Sequence, residues 1–120
     1  MNKQKIKRDT VRVDASQETV GRVASRIASF LIGKTKVGYV PYIDSGAKVV
    51  VINIAQVHFS GKKATQKVYR HHSMHPGGLK EETAKKLLKE KPEEVILHAV
   101  WKMLPRNKFR EERMKRLSFK

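Results

Sequence analysis

Hydrophobic and polar residues alternate near the start of the chain, and the spacing then changes. In TVRVD (10–14), Val11 and Val13 fall on one face of a predicted strand. Beyond it, apolar residues recur every three or four positions and form one side of a predicted helix: Val20, Val23, Ala24, Ile27, Ala28 and Leu31. Thr19 can cap the start of this helix, and Gly33 can end it in the left-handed conformation.

The middle of the chain has the pattern of strands. KVVVIN (48–53) is a continuous β-branched run, which is typical of a strand buried on both faces. Two further short strands are predicted at 57–61 and 67–72, joined around a Gly-Lys-Lys turn. A strand, a helix and then a buried strand indicate a βα crossover and an α/β sandwich.

From Lys80 onward the pattern predicts helices. The first would bury Ala84, Leu87 and Leu88 and end near Pro92. The second would begin at Pro92, end before Pro105 and bury Ile96, Ala99, Val100 and Met103. Trp101, among apolar neighbours, is expected in the core. The basic segment 106–116 predicts a last helix capped by Asn107, and LSFK (117–120) a terminal strand.

The positive charge is both large and unevenly placed. The chain holds 27 Lys and Arg against 11 Asp and Glu, a net charge of +16. From 34 to 80 there are eight cations against one acid, Asp44, and from 102 to 120 eight more against Glu111 and Glu112. Such an excess repels itself in a compact fold, so it indicates a polyanionic partner, most often nucleic acid.

Several other classes of protein are disfavoured. The chain has no cysteine, which leaves no disulfide framework and no thiolate metal site. The basic N-terminus has no apolar run behind it, unlike a secretory signal, and VVVI (49–52) is too short to span a bilayer. We therefore expect one cytoplasmic domain over 1–120 with no membrane partner, including a basic extension at 1–9 and a basic C-terminal segment at 106–120.

The stretch YRHHSMHPGG (69–78) offers two kinds of chemistry. His71, His72 and His75 could form a metal-dependent hydrolase site, but the stretch contains no Asp or Glu to orient an imidazole. The alternative is that the histidines donate hydrogen bonds to phosphate or ribose oxygens. Gly77 and Gly78 would let backbone N–H groups approach an anion closely.

Two lysine-bearing stretches have some features of phosphate-binding segments. IGKT (32–35) resembles the end of a phosphate-binding loop, but position 28 is alanine and the glycine ends a helix instead of preceding one. SGKKATQK (60–67) is either a solvated turn or a lysine finger that contacts phosphates, with Tyr69 and Arg70 behind it able to stack on a base or ribose.

Four stretches together resemble one family: VDASQETVGRVASRIASFLIGK, YVPYIDSGAKVVVIN, GKKATQKVYRHHSMHPGGLK and PEEVILHAVWKMLPRNK. They are similar, in order and over nearly the whole chain, to the bacterial-type large-subunit ribosomal proteins of the universal L-thirteen family. Two departures are Lys102 and Arg110, which stand where that family commonly has glycine. Its members also commonly continue beyond the position of Lys120.

The resemblance implies a three-layer α/β/α sandwich with a mostly parallel central sheet of about four strands. It implies no enzyme activity, cofactor, metal or small-molecule substrate, and a role in binding large-subunit ribosomal RNA and in early assembly, beside neighbouring ribosomal proteins. A cytoplasmic ribosome is expected, with an organelle ribosome as the alternative. A general DNA-packing protein fits the charge equally well.

The resemblance and the placement of charge together imply RNA contacts on two basic surfaces, one built from loops and one from the C-terminal segment. The expected contacts are Gly33, Lys34 and Lys36 after the first helix; Lys62, Lys63, Lys67, Tyr69, Arg70, His71, His72, His75, Gly77, Gly78 and Lys80 in the middle; and Arg106, Asn107, Lys108, Arg110, Arg113, Lys115 and Arg116 near the C-terminus.

Overall fold

A computed structural model describes residues 8–16, 18–59, 66–72, 74 and 76–120. Within these ranges the chain forms five strands and four α-helices. In chain order they are β1 Thr10–Asp14, α1 Val20–Ile32, β2 Lys48–Ile52, β3 Val68–His72, β4 Leu79–Thr83, α2 Ala84–Glu90, α3 Pro92–Met103, α4 Arg110–Lys115 and β5 Leu117–Phe119.

The main sheet consists of β1, β2 and β5, with β2 in the centre and both pairs parallel. This confirms the α/β class and the parallel sheet, although the described part of the chain contributes three strands to it, not four. Val49 and Val51 of β2 are fully buried, whereas Val50 and Ile52 on the opposite face are only partly buried. The expected burial of β2 on both faces is therefore complete on one face and partial on the other.

Helix α1 covers the buried face of the sheet and confirms the sequence pattern. All six residues of its predicted apolar side are buried. Gly33 ends it in the left-handed conformation, at φ 91°, with its N–H donating to the Ser29 carbonyl. Thr19 occupies the N-cap position, but its side chain makes no cap hydrogen bond. The Val20 N–H instead donates to the His58 carbonyl at 2.9 Å, which ties the helix start to the segment after β2.

The hairpin differs from the prediction. The segment 57–61 contributes one isolated bridge between His58 and Thr19, and part of it lies outside the described ranges. Strand β3 pairs antiparallel with β4, whose residues from Lys80 onward were expected to be helical. Across the pair Arg70 faces Glu81, and their side chains form a salt bridge of 3.0 Å. Pairing with β3, which the spacing of residues within 80–83 does not reveal, accounts for the strand. The helix starts at Ala84, with Thr83 as its N-cap.

The helix α3 begins as predicted, with Pro92 in its first turn and Glu93 and Glu94 beside its positive end. It packs against α1 and α2 through Val95, Ile96 and Val100, which are fully buried. Two expectations fail here: Met103 is exposed, and Trp101 is 38% exposed, so it is not a core residue. Packing against α1 and α2 buries the side of α3 that carries Val95, Ile96 and Val100, so that Trp101 and Met103 are left partly exposed.

The C-terminal segment is helical over a shorter range than predicted. Helix α4 starts at Arg110, and Asn107 accepts a hydrogen bond from the Phe109 N–H in the turn before it, at 3.1 Å. Strand β5 follows as expected and pairs with β2. Over the described ranges, every helix is too short or too polar to cross a membrane.

Candidate nucleic-acid interface

The loop 33–47 returns from the end of α1 to the start of β2 and presents two cations. Lys34 is exposed and Lys36 partly exposed. The loop is fixed at its far end, where the Ala47 N–H donates to the Phe30 carbonyl at 3.0 Å. Gly46 packs so closely against Leu31 that a Cβ there would overlap the Leu31 carbonyl oxygen. The lysines therefore stand on a loop that is packed onto the helix.

Asp44, the one acid of this region, points inward. Its carboxylate accepts hydrogen bonds from Arg116 at 2.6 and 2.9 Å and from Arg113 at 3.3 Å, and Arg8 lies 3.9 Å away. Burial alone would raise the pKa of Asp44, but the hydrogen bonds and charges of Arg116 and Arg113 lower it below the ordinary value. The carboxylate is thus held ionised, and its charge is directed at arginines beneath the loop.

The same cluster engages two arginines that were expected to contact RNA. Arg113 is only 2% exposed, so its side chain cannot reach an external phosphate. Arg116 is partly buried and also donates to the Leu31 carbonyl at 2.8 Å. Both arginines join the C-terminal helix to loop 33–47, and we leave them out of the proposed interface. Lys115, between them, is exposed.

The β3–β4 hairpin carries an aromatic and cationic cluster. The Tyr69 ring stacks on His98 of α3, with centroids 5.4 Å apart. Lys67 Nζ lies 5.2 Å from the Tyr69 ring centre and 5.8 Å from that of Phe59. Burial raises the pKa of the Tyr69 hydroxyl. Tyr69 is thus contacted by both His98 and Lys67, whereas Arg70 is exposed and pairs with Glu81.

The turn that joins β3 and β4 is open to solvent at the positions described. Gly77 has φ 75° and is exposed, and no atom of the described residues lies within 4 Å of where a Cβ would be. Gly78 is partly exposed, and Lys80 is exposed in β4. His71 and His72 belong to β3, opposite Lys80 and Leu79. The side chains of these two histidines, and all of Lys62, Lys63 and His75, lie outside what the structure describes.

The third basic region is the turn between α3 and α4. Arg106, Asn107 and Lys108 are exposed there. Arg110 folds back over Trp101, with its guanidinium carbon 3.9 Å from the ring centre. The described residues include no group of three or more His, Cys, Asp or Glu able to hold a metal ion.

Comparison with known proteins identifies the family. The model of the family described as Ribosomal protein L13 matches residues 8–119. The chain belongs to the ribosomal protein L13 family.

Its relatives include proteins named large ribosomal subunit protein uL13. The one from Pelobacter propionicus is 47% identical over 112 residues, which cover 93% of this chain and 79% of that protein. The one from Clostridioides difficile is 47% identical over 112 residues, covering 93% and 78%. The one from Staphylococcus aureus strain Newman is 43% identical over 116 residues, covering 97% and 80%.

In this L13 family member, two exposed aromatic residues lie near the basic loops and were not among the residues expected to contact RNA. Tyr42 in loop 33–47 is 78% exposed and follows the cations Lys34 and Lys36. Trp101 lies beside the basic turn 104–109. Aromatic residues in basic loops commonly stack on bases, and Tyr42 lies six positions from both Lys36 and Lys48. For Trp101 the neighbouring Lys102 and the cations of 106–110 gave a similar signal, but its position after an apolar run is equally typical of a core residue.

Proposed function

We propose that this protein is a non-enzymatic constituent of the large ribosomal subunit that binds large-subunit ribosomal RNA and helps the subunit assemble early. Its partners would be that RNA and the neighbouring large-subunit proteins, in a cytoplasmic ribosome of bacterial type. The proposal is supported by membership of the L13 family and by relatives that are named large ribosomal subunit proteins.

The arrangement of Asp44 is the structural observation that carries the proposal. Positions 34 to 80 contain eight Lys and Arg but only one acid, Asp44. That acid is buried against Arg116 and Arg113. It therefore cannot neutralise Lys34 or Lys36 at the surface. Within the described residues Lys34 and Lys36 form no salt bridge, and their loop is packed onto α1 at Gly46, an arrangement that suits the phosphates of a folded RNA.

The proposed contacts fall into three groups. Lys34 and Lys36 form the first, on the turn that begins at Gly33, which is itself buried. The β3–β4 hairpin with Lys67, Tyr69, Arg70, Gly77, Gly78 and Lys80 forms the second. The third is the turn with Arg106, Asn107 and Lys108, followed by Arg110 and Lys115. We keep Lys62, Lys63, His71, His72 and His75 in the proposal on sequence grounds. Phosphates from different RNA segments could be neutralised together by these groups, so that the segments approach each other without repulsion.

Charge reversal with a matched control tests this function. The test variant changes Lys34, Lys36 and Lys108 to Glu; the control changes Lys85, Lys86 and Lys89 of α2, which are also exposed but belong to a segment that carries five of the acids, 81–94. Both variants have the same net charge. Binding of large-subunit RNA, measured by fluorescence anisotropy across a salt series, should weaken by orders of magnitude in the test variant. Its log–log salt slope should fall by roughly two to three, because each lost phosphate contact removes about 0.7 to 0.9.

The control variant should bind nearly as well as the unchanged protein. Equal weakening of both variants would contradict the proposed interface, because only overall charge would then matter. Excess duplex DNA as competitor separates the DNA-packing alternative: a protein that recognises folded RNA keeps its RNA under this competition, whereas complete displacement would contradict the ribosomal proposal.

A further inference from the structure

Arg110 contacts Trp101 at two places, the indole ring and the backbone carbonyl. The Arg110 guanidinium lies over the indole, with its carbon 3.9 Å from the ring centre. Arg110 also donates from Nε to the Trp101 carbonyl oxygen at 2.9 Å, and from Nη2 to the same oxygen. The Arg110 side chain is therefore held by both the indole ring and the backbone carbonyl of Trp101.

This arrangement leaves part of the indole available. Trp101 is 38% exposed, although an aromatic residue of this size normally gains by burial. It lines a depression together with Arg106, Asn107, Lys108, Arg110 and Glu111, and a second, mainly apolar one with Leu97, His98 and Met114. The exposed indole thus lies between a cationic and an apolar surface.

The charge around the indole selects the class of occupant. The segment 101–110 contains Lys102, Arg106, Lys108 and Arg110 and no acid, and Glu111 is the acid that lines the cationic depression. An apolar peptide would satisfy Leu97 and Met114 but would leave these cations without a partner. A nucleotide satisfies both, since its base stacks on the ring and its phosphates lie against the cations.

We propose that Trp101 and Arg110 form a stacking platform for one unpaired nucleobase of RNA, with Arg106 and Lys108 binding the flanking phosphates. The inference rests on the proposed function and adds to it a specific mode of contact. Because the guanidinium is already fixed by two hydrogen bonds, little side-chain freedom is lost on binding. A base in a continuous duplex has no free face for the ring, so the platform selects single-stranded or bulged RNA.

Trp101 is the single tryptophan of the chain, so its fluorescence reports on this platform alone. The experiment titrates the full chain with large-subunit RNA, a short mixed-sequence single-stranded RNA and a blunt duplex of the same length. Anisotropy of labelled RNA measures binding, and indole emission measures stacking. We expect quenching that saturates with binding for the large-subunit and single-stranded RNAs, and little quenching when the duplex binds.

Three variants separate stacking from charge. Trp101→Leu keeps an apolar side chain without a ring and should weaken single-stranded RNA binding by roughly 5- to 150-fold, the usual range for loss of one base–aromatic stack. Trp101→Phe keeps a ring and should restore most of the affinity. Arg110→Lys keeps the charge but loses the planar contact, so affinity should fall while the salt slope is unchanged.

The outcomes distinguish the two proposals. RNA binding with unchanged indole emission, or equal affinities for Trp101→Leu and Trp101→Phe, overturns the platform and leaves the RNA-binding function standing. Absence of RNA binding in the anisotropy measurement overturns the proposed function itself. Thermal unfolding of each variant establishes that the chain is folded, and a Trp101→Leu variant that unfolds is replaced by Trp101→Met, which is larger and also lacks a ring.

Discussion

Asp44 and Arg116 form a two-point ion pair, with contacts of 2.6 and 2.9 Å, between positions 72 residues apart. The pair connects loop 33–47 to the end of α4. Arg113 adds a contact of 3.3 Å to the same carboxylate from a fully enclosed position. The carboxylate thus links two parts of the chain that carry proposed RNA contacts. Their relative position is therefore held by contacts within the protein and does not depend on bound RNA.

Asp44→Asn should destabilise the fold strongly. The substitution leaves Arg113 buried with no opposite charge, and removing one partner of a buried ion pair costs about 3–5 kcal/mol. Urea unfolding followed by circular dichroism measures the loss. Arg113→Met is the comparison: Asp44 would keep Arg116, so the cost should be clearly smaller. A greater cost for Arg113→Met would mean that packing of the arginine stem, not the carboxylate, holds the segments together.

The same carboxylate predicts loss of stability in acid. The folded-state pKa of Asp44 lies below its ordinary value of 3.8. A lowered pKa contributes stability that is complete above the ordinary value and is lost as the pH falls below it, towards the folded-state pKa. Unfolding free energies measured from pH 6 downward should show this decline, and the Asp44→Asn variant should show a shallower one. Parallel pH profiles would contradict the assignment.

Gly46→Ala should disrupt the return of loop 33–47. The added methyl group would overlap the Leu31 carbonyl oxygen and approach the Arg116 guanidinium, and backbone cannot yield as a flexible side chain does. We expect a loss of about 3 kcal/mol or more, at the upper end for overpacked sites. Gly38→Ala in the same loop is the control, because a Cβ there meets nothing within 4 Å. Similar unfolding midpoints for the two variants would show that the loop is not packed in this way.

Thr83→Ala and Thr19→Ala should differ although both residues stand at helix N-caps. The Thr83 hydroxyl accepts a hydrogen bond from the Lys86 N–H, and loss of such a cap costs about 1 kcal/mol. Thr19 makes no such bond, so its removal should cost less. Chemical denaturation of the two variants tests the difference; a larger loss for Thr19→Ala would contradict it.

The local sequence is sufficient for elements that depend on periodicity and end signals. The apolar spacing of α1, the glycine that ends it and the β-branched run of β2 each depend on neighbours within a few positions, so each can be predicted. The same holds for Pro92 at the start of α3. The uneven distribution of cations is equally a property of the sequence, and it alone indicates two basic surfaces, one built from loops and one from the C-terminal segment.

The tertiary structure decided what depends on distant partners. Residues 79–83 form a strand because β3 supplies hydrogen bonds and Arg70 supplies a charge opposite Glu81; their own sequence favoured a helix. Arg113 turned inward because the carboxylate of Asp44 is buried beside it, and an arginine is indistinguishable in sequence whether its partner is a phosphate or an aspartate. Trp101 became exposed because α3 packs through Val95, Ile96 and Val100, and only that packing determines which side of the helix faces solvent.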